Sequence, residues 1–151
     1  MYWDDQQPWY SIMTAAPVET VCNDERIFAI RRSMLKIAEF CSRQRVEPRD
    51  EKLAQAQMEA LLTGSGFTLK REHRLSSDDI PDFLINEGGF SIVLEMKTRA
   101  QRMKIYRQLE RYSKHESIDG ILLVSGTAMA LPSMIGSKPA LFASLGRGWL
   151  R

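Results

Sequence analysis

The sequence holds only two cysteines, Cys22 and Cys41, and two histidines. Neither cysteine lies in a CxxC or beside a histidine pair, so neither a disulfide framework nor a zinc site is supported. No apolar run approaches the ~20 residues a membrane span requires. The first 25 residues contain no basic side chain and five acids, Asp4, Asp5, Glu19, Asp24 and Glu25. An export signal needs a basic start and an apolar middle, so the expectation is a cytoplasmic protein without a membrane partner. Internal repeats and low-complexity tracts are also missing.

What remains is an ordinary globular composition, 151 residues of which 44% are hydrophobic and 26% charged. A chain of this length buries about two-thirds of its unfolded surface and needs no staple. The expected organisation is a single domain over 1–151. Residues 1–50 form an N-terminal extension and helix, 51–125 a core, and 126–151 C-terminal elements. The net charge of +2 is unevenly spread, because residues 97–114 carry seven basic side chains and one acid. Such a run admits an anionic partner, and a solvated helix face gives the same pattern.

Residues 1–22, with Trp3, Trp9, Tyr10, Pro8 and Pro17, read as an irregular lead-in that packs on something. Asn23 or Asp24 caps a helix to about Arg43, striped by Ile27, Ile30, Met34, Ile37 and Cys41. After Pro48, Asp50 caps a second helix from Glu51 to about Leu62, closed by Gly64-Ser65-Gly66. Its apolar arc of Ala54, Met58, Leu61 and Leu62 also contains Glu51. Strands are expected over Phe67–Leu75, Ile80–Ile85 and Phe90–Lys97, the last two joined through Gly88-Gly89. Thr98 and Gln101 suggest a capping box for a third helix over residues 99–115. Ile121–Val124 reads as a strand buried on both faces and parallel to the strand before that helix. The glycine- and proline-broken tail suggests short elements, including a helix near Ala140–Leu145. The fold class is therefore α/β, a three-layer sandwich around a mixed sheet.

The hairpin permits a geometric test. With Gly88 and Gly89 in the loop, Glu87 faces Phe90, and the same register sets Asp82 opposite Glu95. Opposed residues share a face with Cβ atoms about 5 Å apart. Lys97, two residues on, returns to that face. Two carboxylates so placed repel one another, and a divalent cation relieves the repulsion. Mg²⁺ binds through one or two carboxylates with water and substrate phosphate, while Lys97 could orient a water or offset charge developing on a phosphate. The basic helix that follows offers a surface for a phosphodiester backbone.

Pro81-Asp82 and Glu95-Met96-Lys97, on this hairpin, resemble the signature of the PD-(D/E)XK nuclease superfamily. The element order over residues 51–125 resembles that family's restriction-endonuclease-like αβββαβ core, here preceded by an N-terminal helix. The resemblance implies a Mg²⁺- or Mn²⁺-dependent deoxyribonuclease, similar to phage or mobile-element nucleases or Holliday-junction resolvases. It implies Asp82, Glu95 and the Met96 carbonyl as metal ligands, with Glu51 as a further ligand from the preceding helix. Lys97 would assist the attacking water, and Gln108 within RQLERY matches a glutamine carried by many members. DNA is the implied partner, contacted by Arg99, Arg102, Lys104, Arg107 and Arg71, and a homodimer is the expected assembly for cutting two strands.

Other residues read more plainly. His73 is expected on the first strand in a structural role, and Tyr106 and Tyr112 are expected to pack rather than stack on bases. Asp78 and Asp79 neighbour the motif, but Asp79 has no acidic partner in the hairpin register, and Pro81 favours Asp82. The alternative to an enzyme is a non-catalytic nucleic-acid-binding or protein-interaction module on the same fold.

Overall fold

The computed structural model describes residues 18–98 and 101–145. Helix α1 spans Val18–Arg43 and α2 spans Glu51–Gly64. Strands β1 (Thr68–Arg71), β2 (Phe83–Glu87) and β3 (Phe90–Lys97) follow. Helix α3 (Arg102–Ser113) leads to β4 (Gly120–Ser125), β5 (Met134–Ile135) and β6 (Lys138–Ser144). The strands form one open mixed sheet in the order β1-β2-β3-β4-β6-β5. Its first three strands are antiparallel neighbours, whereas β4 lies parallel to both β3 and β6. From α2 to β4 the element order is the expected helix, three strands, helix, strand.

Residue parity along the strands decides which helix covers which face. Ile92, Leu94 and Met96 of β3, with Leu122 and Val124 of β4, pack against Ile30, Met34, Ile37 and Cys41 of α1 and Met58 and Leu62 of α2. The alternate residues Val93, Ile121 and Leu123 pack against Ile105, Leu109 and Tyr112 of α3. Glu95 and Lys97 share parity with Val93, so they lie on the α3 face. Truncating a fully buried methionine such as Met34 or Met58 to alanine in such a core costs about 2–5 kcal/mol. Gly120 is needed for close approach, since a Cβ there would stand 2.7 Å from the Met34 sulfur.

The β2–β3 register is the expected one, with Glu87 facing Phe90 and Phe83 facing Leu94. Gly88 and Gly89 take φ of 62° and 83°, the conformation a two-residue primed turn demands. Asp50 caps α2 by accepting from the Leu53 N–H at 3.1 Å.

Several expected boundaries need correction. No glycine or proline interrupts residues 18–43, and α1 runs straight through Asn23 and Asp24 instead of starting there. Strand β1 stops at Arg71, because Glu72 adopts a φ of 51°, and this puts His73 in the following loop. Residues 80–82 are not in the ladder, where Pro81 has no N–H to give, so β2 starts at Phe83. Gln101 is the N-cap of α3 without a side-chain bond, and Thr98 turns to Glu51, so no capping box forms. Residues 140–144 are strand, not helix: pairing with β4 overrides the helix preference of alanine and leucine. The lead-in at 1–17, Arg99 and the last six residues lie outside the described residues. Among those described, no helix is long and apolar enough to cross a membrane.

Candidate functional site

The carboxyl end of β3 gathers three elements around two carboxylates. Asp82 lies one residue before β2, and the Phe83–Leu94 pairing extends to set it across from Glu95. Two bonds lock the pair: the Asp82 N–H donates to Glu95 Oε2 at 3.2 Å, and the Met96 N–H donates to Asp82 Oδ2 at 2.8 Å. In a strand the N–H and C=O of one residue point to the same edge, so the Met96 carbonyl also faces the Asp82 side. Lys97 Nζ sits 3.0 Å from Glu95 Oε1 and 3.8 Å from Glu51 Oε1. Glu51, at the first position of α2, accepts from the Thr98 N–H at 3.3 Å and thereby ties the end of β3 to the start of α2.

Burial gives this cluster its electrostatic character. Glu95 is 1% exposed and Asp82 is half-buried. Desolvation, then the charge of Glu95, pushes the Asp82 carboxyl up to about 7, against the Met96 N–H and Lys97 that favour its anion. Glu95 is raised as well, chiefly by burial, although Lys97, the Asp82 N–H and the Tyr112 hydroxyl all stabilise its charge. Burial works against charge on Lys97, but Glu95, Asp82 and Glu51 more than offset it, so the ammonium holds its proton more tightly than usual.

A side-chain relay reaches the pair from α3. Gln108 donates to the Tyr112 hydroxyl at 2.9 Å, and that hydroxyl lies 3.4 Å from Glu95 Oε2. Gln108 thus reaches Glu95 through Tyr112. Tyr112 is fully buried, as packing requires, but its polar tip serves the site in a way that its helical spacing alone did not reveal. Its position four residues after Gln108 on one helix face was the available signal. Burial and the neighbouring carboxylates keep the phenol protonated, so it acts as a donor.

No family model and no curated protein sequence matches this chain.

The residues fit a hard divalent cation in part. Two opposed carboxylates with raised proton affinity and a carbonyl aimed at the same edge are oxygen donors of the type Mg²⁺ and Mn²⁺ take alongside water. Glu51 engages Lys97 and Thr98. Among the described residues no three His, Cys, Asp or Glu side chains gather closely enough to form a complete cation cage.

Two concavities lie along α3, one of them reached by Lys97. One, of about 260 Å³, is lined by Lys97, Gln101, Lys104, Ile105 and Gln108. A second, of about 560 Å³, is lined by Gln101, Arg102, Met103, Lys104, Arg107 and Arg111. Among the described residues Arg102, Lys104 and Arg107 have no ion-pair partner, unlike Arg111, which is bonded to Asp79. Arg71 is engaged within the fold, its guanidinium held by Glu59 at 3.0 Å and Gln55 at 3.4 Å on α2. Asp79, set aside in sequence, is 7% exposed and receives bonds from Arg111 Nε at 3.0 Å and His115 Nε2 at 2.8 Å. Burial opposes its charge, yet the bonds and charges of His115 and Arg111 outweigh that and hold its carboxyl below the usual range.

Proposed function

We propose that this protein is a divalent-metal-dependent nuclease that hydrolyses DNA phosphodiester bonds. One observation carries the reading: two opposed, mutually repelling carboxylates with a lysine bound to one of them, that lysine sharing a concavity with Lys104 of α3. Carboxylates that cost stability in the apo fold are explained if a cation uses them. Asp82, Glu95 and the Met96 carbonyl would hold Mg²⁺ or Mn²⁺, and Glu51 would act from the neighbouring position through Lys97. When bound, such an ion lowers the pKa of water and offsets charge on the phosphate.

The remaining chemistry falls to the chain. Lys97, its ammonium favoured by Glu95, Asp82 and Glu51, would serve as a donor and a positive charge. Its Nζ can orient the attacking water and balance the charge that grows on the phosphoryl oxygens as one P–O bond forms and the bridging P–O bond breaks. Glu95 Oε1 holds Nζ in place, and Tyr112 fixes the other oxygen of the same carboxylate. Arg102, Lys104 and Arg107 would neutralise flanking phosphates.

The test is cleavage of single-stranded, duplex, nicked and branched DNA with Mg²⁺, Mn²⁺, Ca²⁺ or EDTA. Expected are cleavage with Mg²⁺ or Mn²⁺, binding without turnover in Ca²⁺, and no cut by Asp82→Asn. Full cleavage in EDTA would overturn the metal role. Binding without cleavage of any substrate would leave a non-catalytic nucleic-acid-binding module.

A further inference from the structure

We propose that Arg111 is a joint that couples phosphate-backbone binding along α3 to the loop carrying Asp82. The inference rests on the nuclease reading for the importance of Asp82, but its own observables are independent of cleavage.

The geometry begins with a stripe. Lys104, Arg107 and Arg111 recur at three- and four-residue steps and share one face of α3. At 1.5 Å per residue the stripe is ~10 Å long, about three phosphate rises of one DNA strand. Its first member, Lys104, lines the same concavity as Lys97, the lysine bound to Glu95. Its last member, Arg111, is half-exposed and lines the larger concavity with Arg102 and Arg107.

Arg111 is divided between two tasks. Its Nε is committed to Asp79, while a guanidinium has five N–H donors in a planar fork. The other four are oriented by the bond already made, which pre-forms them for a phosphate. Asp79 in turn belongs to the segment between β1 and β2. Its carbonyl accepts the Leu75 N–H at 2.9 Å, its N–H donates to the Ser76 hydroxyl at 3.1 Å, and three residues on stands Asp82. The Asp82 carbonyl closes this segment by accepting from the Glu72 N–H at 2.9 Å. A phosphate on Arg111 would fix the guanidinium, hence Asp79, hence the loop whose end positions Asp82. Arg111 is thus a positioning residue, and the partner chemistry is a polyanion with regularly spaced phosphates.

Hydrogen exchange in EDTA tests the joint without any turnover. A short DNA duplex should slow exchange of the Glu72 and Leu75 amides by at least about fivefold, the lower end of typical site-to-site coupling. Arg111→Lys keeps the charge but loses the fork. It should weaken duplex binding by no more than about threefold while abolishing the loop's response. Duplex binding by the wild-type protein with no change at Glu72 and Leu75 would overturn the inference, as would a full response in Arg111→Lys. The same response to poly-glutamate would overturn the phosphate assignment in favour of an acidic peptide. Loop response without Mg²⁺-dependent cleavage would sink the nuclease reading and leave the joint standing. Cleavage without loop response would do the reverse.

Discussion

Replacing Asp82 with asparagine should stabilise the metal-free protein, and should do so only where the carboxylate would be ionised. The folded Asp82 carboxyl sits at about 7 against an ordinary 3.8, so the native state binds the proton more tightly than the unfolded chain. Stability therefore falls as pH rises through the window from 3.8 to about 7, the reverse of a salt-bridged aspartate. That gap corresponds to ~4 kcal/mol at 1.36 kcal/mol per pH unit. Water reaching the half-buried carboxylate screens it, which leaves roughly 2 kcal/mol. Asparagine carries no charge to repel Glu95, and its Oδ1 can still accept from the Met96 N–H. In EDTA at pH 8.5, Asp82→Asn should melt ~4–8 °C above the wild type. At pH 5 the wild-type carboxyl is largely protonated in the fold, and the difference should shrink to roughly a third of that. Saturating Mg²⁺ at pH 8.5 should reverse the order, because only the wild type gains full binding energy. Scanning calorimetry at the two pH values, with and without Mg²⁺, reads all of this. An Asn variant that is less stable than wild type by the same margin at both pH values would show a structural carboxylate in place of a repelled pair.

Three further substitutions divide the site by role. Lys97→Ala should lose at least ~100-fold in single-turnover cleavage with little change in duplex affinity in Ca²⁺, and wild-type-like cleavage would remove Lys97 from the chemistry. Tyr112→Phe removes one hydroxyl from a buried ring and should cost about 1 kcal/mol of stability. It should also weaken apparent Mg²⁺ affinity several-fold by loosening Glu95, and an unchanged Mg²⁺ titration would make the hydroxyl purely structural. Neutralising Arg102, Lys104 and Arg107 together should weaken duplex binding and lower the slope of log K against log salt by up to about three, whereas an unchanged slope would mark a solvated face.

The parts of the fold that were legible in sequence are those set by local rules. Gly88-Gly89 fixes a primed turn, the turn fixes the register, and the register alone opposes Asp82 to Glu95. Asp50 announces α2 because a short acidic side chain can satisfy an orphan N–H at a helix start. Thr98 shows where such rules stop, since Glu51, 47 residues earlier, competes for its N–H and hydroxyl and leaves α3 without a side-chain cap. Residues 140–144 fail for the same reason: Ala140, Leu141 and Ala143 favour helix locally, but an open edge of β4 offers a full ladder.

The candidate site divides along the same line. Asp82, Glu95 and Lys97 lie on one hairpin, so periodicity alone could bring them together. Tyr112 and Asp79 enter only because α3 crosses the sheet face, an arrangement that no spacing within one strand or one helix encodes. The charge count of residues 97–114 made seven cations look equivalent. The fold separates them by partner: Lys97 is bound to Glu95, Arg111 is shared with Asp79, and Arg102, Lys104 and Arg107 stand between, without acidic partners among the described residues. A solvated helix face would scatter its cations or pair them with acids one turn away, as Arg43 pairs with Glu39 on α1. A run of cations bound at its start through Lys97 to Glu95 and at its end through Arg111 to Asp79 is the arrangement expected if the anion it awaits is the one the carboxylates act on.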